Sequence, residues 1–197
     1  MICPECNRDA GLTQEEIEAL FREIRQKMRT ELDIGTSHRI QLRMLDLPAM
    51  QRRSPDYAPG VELGLFVYDA TINTVITTQP LILGGEREKT ETYRSNVSYS
   101  IYFLSHTPRR KLIEVFAHEL GHDWMIENFP KVKSLEIREG FSEYCAWLAN
   151  RLFGQEFMNR RIENNPDPIY GGGFRLIKKI GDEGGMSSIR RFLRKSN

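Results

Sequence analysis

His118-Glu119-Leu120-Gly121-His122 is the stretch on which the reading of this chain turns. On a helix, residues four apart lie on one face, so His118 and His122 can present both imidazoles to a single point. That spacing is a zinc-ligand pattern, and Glu119 beside it stands within reach of a water in the open coordination position. The flanking residues agree with a helix from Arg109 to Asn128. Thr107 reads as its N-cap and Pro108 as its first residue. At about 100° per residue, Ile113, Phe116, Leu120 and Trp124 form an apolar stripe, with the two histidines roughly opposite. One face then anchors in a core while the other turns into a cleft.

Phe129-Pro130 must end that helix. A second helix is expected from about Ser134 to Phe153, with Phe141, Cys145, Leu148 and Leu152 as its apolar stripe and Glu139 and Glu143 on the opposite side. A catalytic zinc usually takes three protein ligands and leaves the fourth position open. Sixteen residues lie between His122 and Glu139. Two helices packed through their apolar sides could therefore aim His118, His122 and Glu139 at one zinc ion. Glu143, one turn beyond Glu139, is the natural acceptor for the second nitrogen of a ligating imidazole. The expected chemistry is hydrolysis of protein peptide bonds by a zinc-activated water, with Glu119 as general base. The competing expectation is a non-catalytic protein-binding module that keeps a structural zinc site. Glu119 weighs against it, because a structural site has no need of a base.

Glu139-Gly140-Phe141 resembles the Asn-Glu-Gly-Phe element of the gluzincins, zinc peptidases related to aminopeptidase N, in which that glutamate is the third zinc ligand. The chain is more similar still to the DA-one-like peptidases, a LIM-linked, ubiquitin-activated plant family. The blocks that carry the likeness are Ala117-His118-Glu119-Leu120-Gly121-His122-Asp123-Trp124-Met125, Asp167-Pro168-Ile169-Tyr170-Gly171-Gly172-Gly173-Phe174-Arg175 and Cys3-Pro4-Glu5-Cys6. They occur in order along nearly the whole chain. The pattern departs at Leu120-Gly121, where the plant proteins tend to carry two methionines, and at Glu143, where they carry glutamine. Their ubiquitin-interacting motifs are absent.

The resemblance implies a compact, bacterial-type zinc metallopeptidase, latent until a protein activator such as ubiquitin acts on it. It also implies a role for Tyr170. Pro168-Ile169-Tyr170-Gly171 resembles the tyrosine-glycine element whose phenol stabilises the oxyanion in aminopeptidase relatives. Arg175, five residues on, is a candidate contact for substrate or oxyanion. The Gly-x-Met-Glu-Asn element that grips a free amino terminus in aminopeptidases has no counterpart upstream of His118, which favours an endopeptidase acting on proteins or peptides.

Length and charge narrow the remaining choices. The chain has 197 residues and a formal net charge of +1, enough for one substantial core and with no basic excess to suggest a nucleic-acid partner. No apolar run reaches the length of a membrane span, and the N-terminus does not read as a secretory signal. Three cysteines make no disulfide framework, which favours a reducing, cytoplasmic setting. Cys3 and Cys6 are half of a four-cysteine zinc site. Residues 1–10 therefore read as the remnant of a LIM-like or zinc-ribbon module, and 11–197 as the metallopeptidase domain. Cys145 reads as a packing residue, and His38 and His106 as surface or capping residues.

Elsewhere, Thr13-Gln14-Glu15-Glu16 reads as a capping box ahead of a helix carrying Ile17, Leu20, Phe21, Ile24, Met28 and Leu32. Strands are expected over Arg39–Leu47, Val61–Tyr68, Thr74–Leu83 and Val97–Leu104, with polar loops at Pro48–Gly60 and Gly84–Ser95. Shorter helices are expected around Glu156–Glu163, Phe174–Ile180 and Ser187–Lys195. The expected fold is α+β and gluzincin-like: an N-terminal helix, a small, mostly antiparallel sheet, and a helical C-terminal half carrying the histidine motif. The sheet edge facing the zinc cleft could bind an extended substrate as an added strand.

Overall fold

Thr13 closes the first helix, α1 (Gln14–Leu32), with a reciprocal cap. Its hydroxyl accepts from the Glu16 N–H at 3.3 Å, and the Glu16 carboxylate accepts from the Thr13 N–H at 2.8 Å. Such a cap contributes about 1 kcal/mol. The computed structural model describes residues 10–53, 63–80 and 86–196, the side chains of 72–80 and 86–94 apart. Cys3 and Cys6, on which the reading of a zinc-module remnant rests, lie outside the described residues.

The chain is α+β. After α1 come β1 (Ile40–Leu45), the short helix α2 (Leu47–Arg53), β2 (Gly64–Pro80) and β3 (Glu86–Leu104). The sheet order is β1-β3-β2, so β3 is central and β2 is an edge. It is a mixed sheet: β1 runs parallel to β3, whereas β2 pairs antiparallel with β3 along almost its whole length. The expected antiparallel character therefore holds for one ladder of two.

Two expected loops are regular structure where they are described. Residues 86–95 belong to β3, opposite the outer half of β2. This outer ribbon extends past β1, which pairs only with Tyr99–Leu104. The sequence of residues 86–95 lacks the apolar alternation that marks a half-buried strand, and its Thr and Tyr residues supply β-propensity instead. The register slips between Asp69 and Thr71, where Asn96 on β3 takes a φ of 52°, the form of a β-bulge. Residues 47–53 form α2, begun by Asp46, whose carboxylate accepts from the Ala49 N–H at 2.8 Å. Pro48 in the first turn is compatible with that start.

The helical half consists of α3 (Arg109–Asn128), α4 (Leu135–Leu152), a 3₁₀ turn at Glu156–Met158, α5 (Asn159–Glu163), a π-helical turn at Pro168–Gly172 and α6 (Gly173–Ser196). The α3 cap is Pro108, not Thr107. Thr107 Oγ1 instead donates to the Leu104 carbonyl, while the Pro108 carbonyl accepts from the Lys111 and Leu112 N–H groups. The two expected C-terminal helices are both present within α6, divided at Gly184-Gly185, where the backbone leaves helical geometry and Gly185 has a φ of 62°. A side chain rarely adopts that conformation, and glycine permits it.

The core lies between α1, the sheet and the helices α3, α4 and α6. Phe116 of α3 packs edge-on against Phe21 of α1 and Phe103 of β3, with centroids 5.4 and 5.3 Å away. Trp124 stacks on Phe141 of α4 at 4.8 Å. Burying each such ring stabilises the fold by about 1.5–3 kcal/mol. The expected stripe of α3 is buried, and so is most of the rest of that helix. Among the described residues, no helix is long and apolar enough to cross a membrane.

Candidate metal centre

Helix α3 places His118 and His122 one turn apart, and α4 brings Glu139 against both. His118 Nε2 and His122 Nε2 are 3.2 Å apart, and Glu139 Oε2 lies 3.4 and 3.3 Å from them. This near-equilateral triangle is the useful measurement. Ligand bonds of about 2.0–2.2 Å put neighbouring atoms of a tetrahedral zinc shell about 3.3–3.5 Å apart. Two imidazoles and one carboxylate also suit zinc or another late transition metal, whereas calcium and magnesium take oxygen sets. The donor set thus fits such an ion. It is the one metal-competent group of three among the described residues.

The two helices approach closely because of Gly121. A Cβ there would stand 2.9 Å from Ser142 Cα on α4. Glu143 sits on the other nitrogen of His118, with Oε1 3.3 Å from Nδ1. The two histidines differ here, since His122 Nδ1 is buried with no hydrogen-bond partner among the described residues.

These contacts shift the protonation of the cluster. Burial alone would lower the pKa of His118, but carboxylates on both of its nitrogens and the nearby Glu119 charge hold it well above 6.5. Burial would likewise raise Glu139, but the two imidazoles outweigh it and hold the carboxyl far below its usual range. Glu143 is lowered, with burial outweighed by His118. Glu119 moves the other way. Burial raises it more than His118 and His122 lower it.

Glu119 is held from the sheet side. Its carboxylate accepts from the Phe66 N–H of β2. A Cβ at Gly64 would stand 2.7 Å from its Oε1. Gly64 and Phe66 were not among the site residues expected from sequence; a glycine opening a strand was the available signal.

A cleft of about 630 Å³ opens over His118, Glu119, His122 and Glu139. One wall is the β2 edge from Leu63 to Phe66, and Tyr170 lines the cleft from the π-helical turn. Asp167 caps that turn, accepting from the Ile169 and Tyr170 N–H groups at 2.8 and 2.9 Å. Arg175 is not among the lining residues. Its guanidinium donates to the Asn165 carbonyl at 2.8 Å, so it holds the rim and is not placed as a substrate or oxyanion contact.

The cations lining the cleft are Lys111, Arg138 and Arg161, none singled out from sequence. Lys111 and Arg161 both contact Oε1 of the buried Glu114. Behind them, Asn150, Gln155 and Asn159 form a buried amide network, with Asn150 donating to Asn159 at 2.8 Å and Gln155 to Asn150 at 2.7 Å. His106 is exposed, in keeping with the surface reading. His38 corrects it: its Nδ1 is 2.6 Å from the wholly buried Asp123, and its ring stacks on Tyr99 at 3.7 Å. No family model, curated protein or solved structure matches this chain.

Proposed function

We propose that this chain is a zinc-dependent endopeptidase of the gluzincin type, similar to the DA-one-like peptidases. The observation that carries the reading is Glu119, a buried carboxylate of raised pKa on the same cleft wall as the His118–His122–Glu139 triangle. A purely structural metal site would use its protein ligands to close the shell. Here a cleft and a poised base stand where substrate would need them.

Zinc held by His118, His122 and Glu139 would supply Lewis acidity and a water nucleophile near neutral pH. Glu119 would accept the proton of an attacking water and return it to the leaving amine. The Phe66 N–H orients the Glu119 carboxylate for both transfers. Tyr170, lining the same cleft, is the candidate donor to the tetrahedral oxyanion. Glu143 holds His118 by its second nitrogen. An extended polypeptide along the β2 edge would put its backbone beside these groups. The proposed setting is cytoplasmic, with a protein activator such as ubiquitin relieving latency.

The test is digestion of a denatured protein mixture by wild type and Glu119→Gln, each alone and with added ubiquitin, with zinc content measured for both. Wild type is expected to cleave and the variant to lose activity by several orders of magnitude while keeping its zinc. Equal cleavage by the two proteins overturns the assignment. Zinc in both and cleavage by neither, with or without ubiquitin, favours a binding module.

A further inference from the structure

Of the charged side chains that line the cleft, all but one have a partner. Glu139 contacts His118 and His122, and Glu143 contacts His118. Glu119 accepts from Phe66, Asp167 caps its turn, and Lys111 and Arg161 share Glu114. The exception is Arg138, which lines the cleft half-buried; its backbone N–H donates to the Ser134 carbonyl, but its guanidinium has no hydrogen bond or ion pair among the described residues.

Its position makes this more telling. Arg138 is in the opening turns of α4, which begins at Leu135 behind its cap Ser134. The N-terminal end of a helix favours anions and disfavours cations. Arg138 therefore adds a second positive contribution to one that the helix already makes, beside the ligand Glu139. Its flat fork of donors matches a carboxylate through two parallel hydrogen bonds.

We propose that Arg138 is a carboxylate receptor, so that the preferred substrates present a carboxylate to this part of the cleft. The source is either an Asp or Glu side chain near the scissile bond or the terminal carboxylate of a peptide. This rests on the peptidase reading of the cleft and adds the chemical class of substrate to it. Arg138 is a specificity-determining residue in this scheme and takes no part in the proton transfers.

The experiment uses matched peptides that differ at one group: Glu against Gln at each position flanking the cut, and free acid against amide at the C-terminus. Zinc-loaded wild type is expected to show a KM lower by about 10–100-fold for the carboxylate member of one pair, the range of a charge-assisted hydrogen bond. The Glu/Gln pairs and the acid/amide pair distinguish the two sources. Arg138→Gln should abolish that difference with zinc content and kcat for the neutral peptide within a few-fold of wild type. Arg138→Lys, which keeps the charge without the fork, should retain only part of it.

A second arm does not depend on turnover. Calorimetric binding of the same peptide pairs to zinc-loaded Glu119→Gln should favour the carboxylate member, and Glu119→Gln/Arg138→Gln should not. If wild type cleaves but neither it nor Arg138→Gln distinguishes the pairs, the receptor is overturned and the peptidase reading stands. If wild type cleaves nothing, the binding arm still decides: equal binding of both peptides overturns the receptor, and a preference lost with Arg138 supports it.

Discussion

Tyr170 enters the cleft from a π-helical turn whose start is fixed by Asp167 and Pro168. If its phenol donates to the developing oxyanion, the interaction is stronger in the transition state than in the bound substrate, and its loss appears in kcat. Removing one such donor typically costs on the order of 10²–10³ in rate. Tyr170→Phe keeps the ring and removes only the hydroxyl, so zinc content and melting temperature should barely change while kcat falls by that factor. A kcat within a few-fold of wild type, measured where chemistry limits the rate, would show that Tyr170 only packs at the rim. Arg175 would not take over, because its guanidinium is committed to Asn165.

Among the elements, α4 fits closely against the start of α6. A Cβ on Gly140 would overlap the backbone of Gly173, and one on Gly173 would overlap the Glu136 carbonyl. Two opposing terms decide what Gly140→Ala does. Alanine is better in a helix interior by about 0.8–1 kcal/mol. Overpacking costs about 1–3 kcal/mol, toward the upper end where the neighbour is backbone and cannot turn aside. The clash wins, and the substitution should lower the urea midpoint of the zinc-free protein. An unchanged or raised midpoint would mean that α6 can slide away without loss. Because Glu139 precedes Gly140 in the chain, the same variant should also bind zinc more weakly.

At the scale of the molecule, the candidate metal centre would couple metal, protons and stability. A group whose pKa is raised on folding stabilises fully below its unfolded value and ceases to do so as pH rises through its folded value. His118 is such a group. Glu139 and Glu143 are lowered, so their contribution is present above the unfolded carboxylate value of 4.5 and is lost as pH falls through their folded values. Glu119 works in the opposite sense, its burial making the ionised form costly at neutral pH. The chelator-treated protein should thus lose stability on the alkaline side as His118 gives up its proton, which thermal melts across pH will read. Zinc requires His118 without that proton. Its apparent affinity should therefore fall on acidification, with the fall already under way above pH 6.5. An affinity that stays flat until pH 6.5 would contradict the raised pKa.

The convergence of His118, His122 and Glu139 was legible in the chain itself because it depends on local rules. A spacing of four residues on a helix brings His118 and His122 together, and Phe129-Pro130 with Ser134 marks where the next helix begins. The capping box at Thr13 was legible for the same reason. The outer half of β3 was not, since residues 86–95 carry charged and hydroxyl side chains with no apolar alternation to read, whereas the outer half of β2 was expected as a strand. Other features exist only once distant segments meet. Phe66 finds Glu119 across the cleft, and His38 meets Asp123 across 85 residues of chain. Arg138 was the least legible of all, because what sets it apart is the lack of a partner among the described residues. Any sequence contains acids enough to neutralise one arginine. Only the packing of α3, α4 and β2 decides that the acids lining this cleft are already engaged, leaving the Arg138 guanidinium without a partner among the described residues.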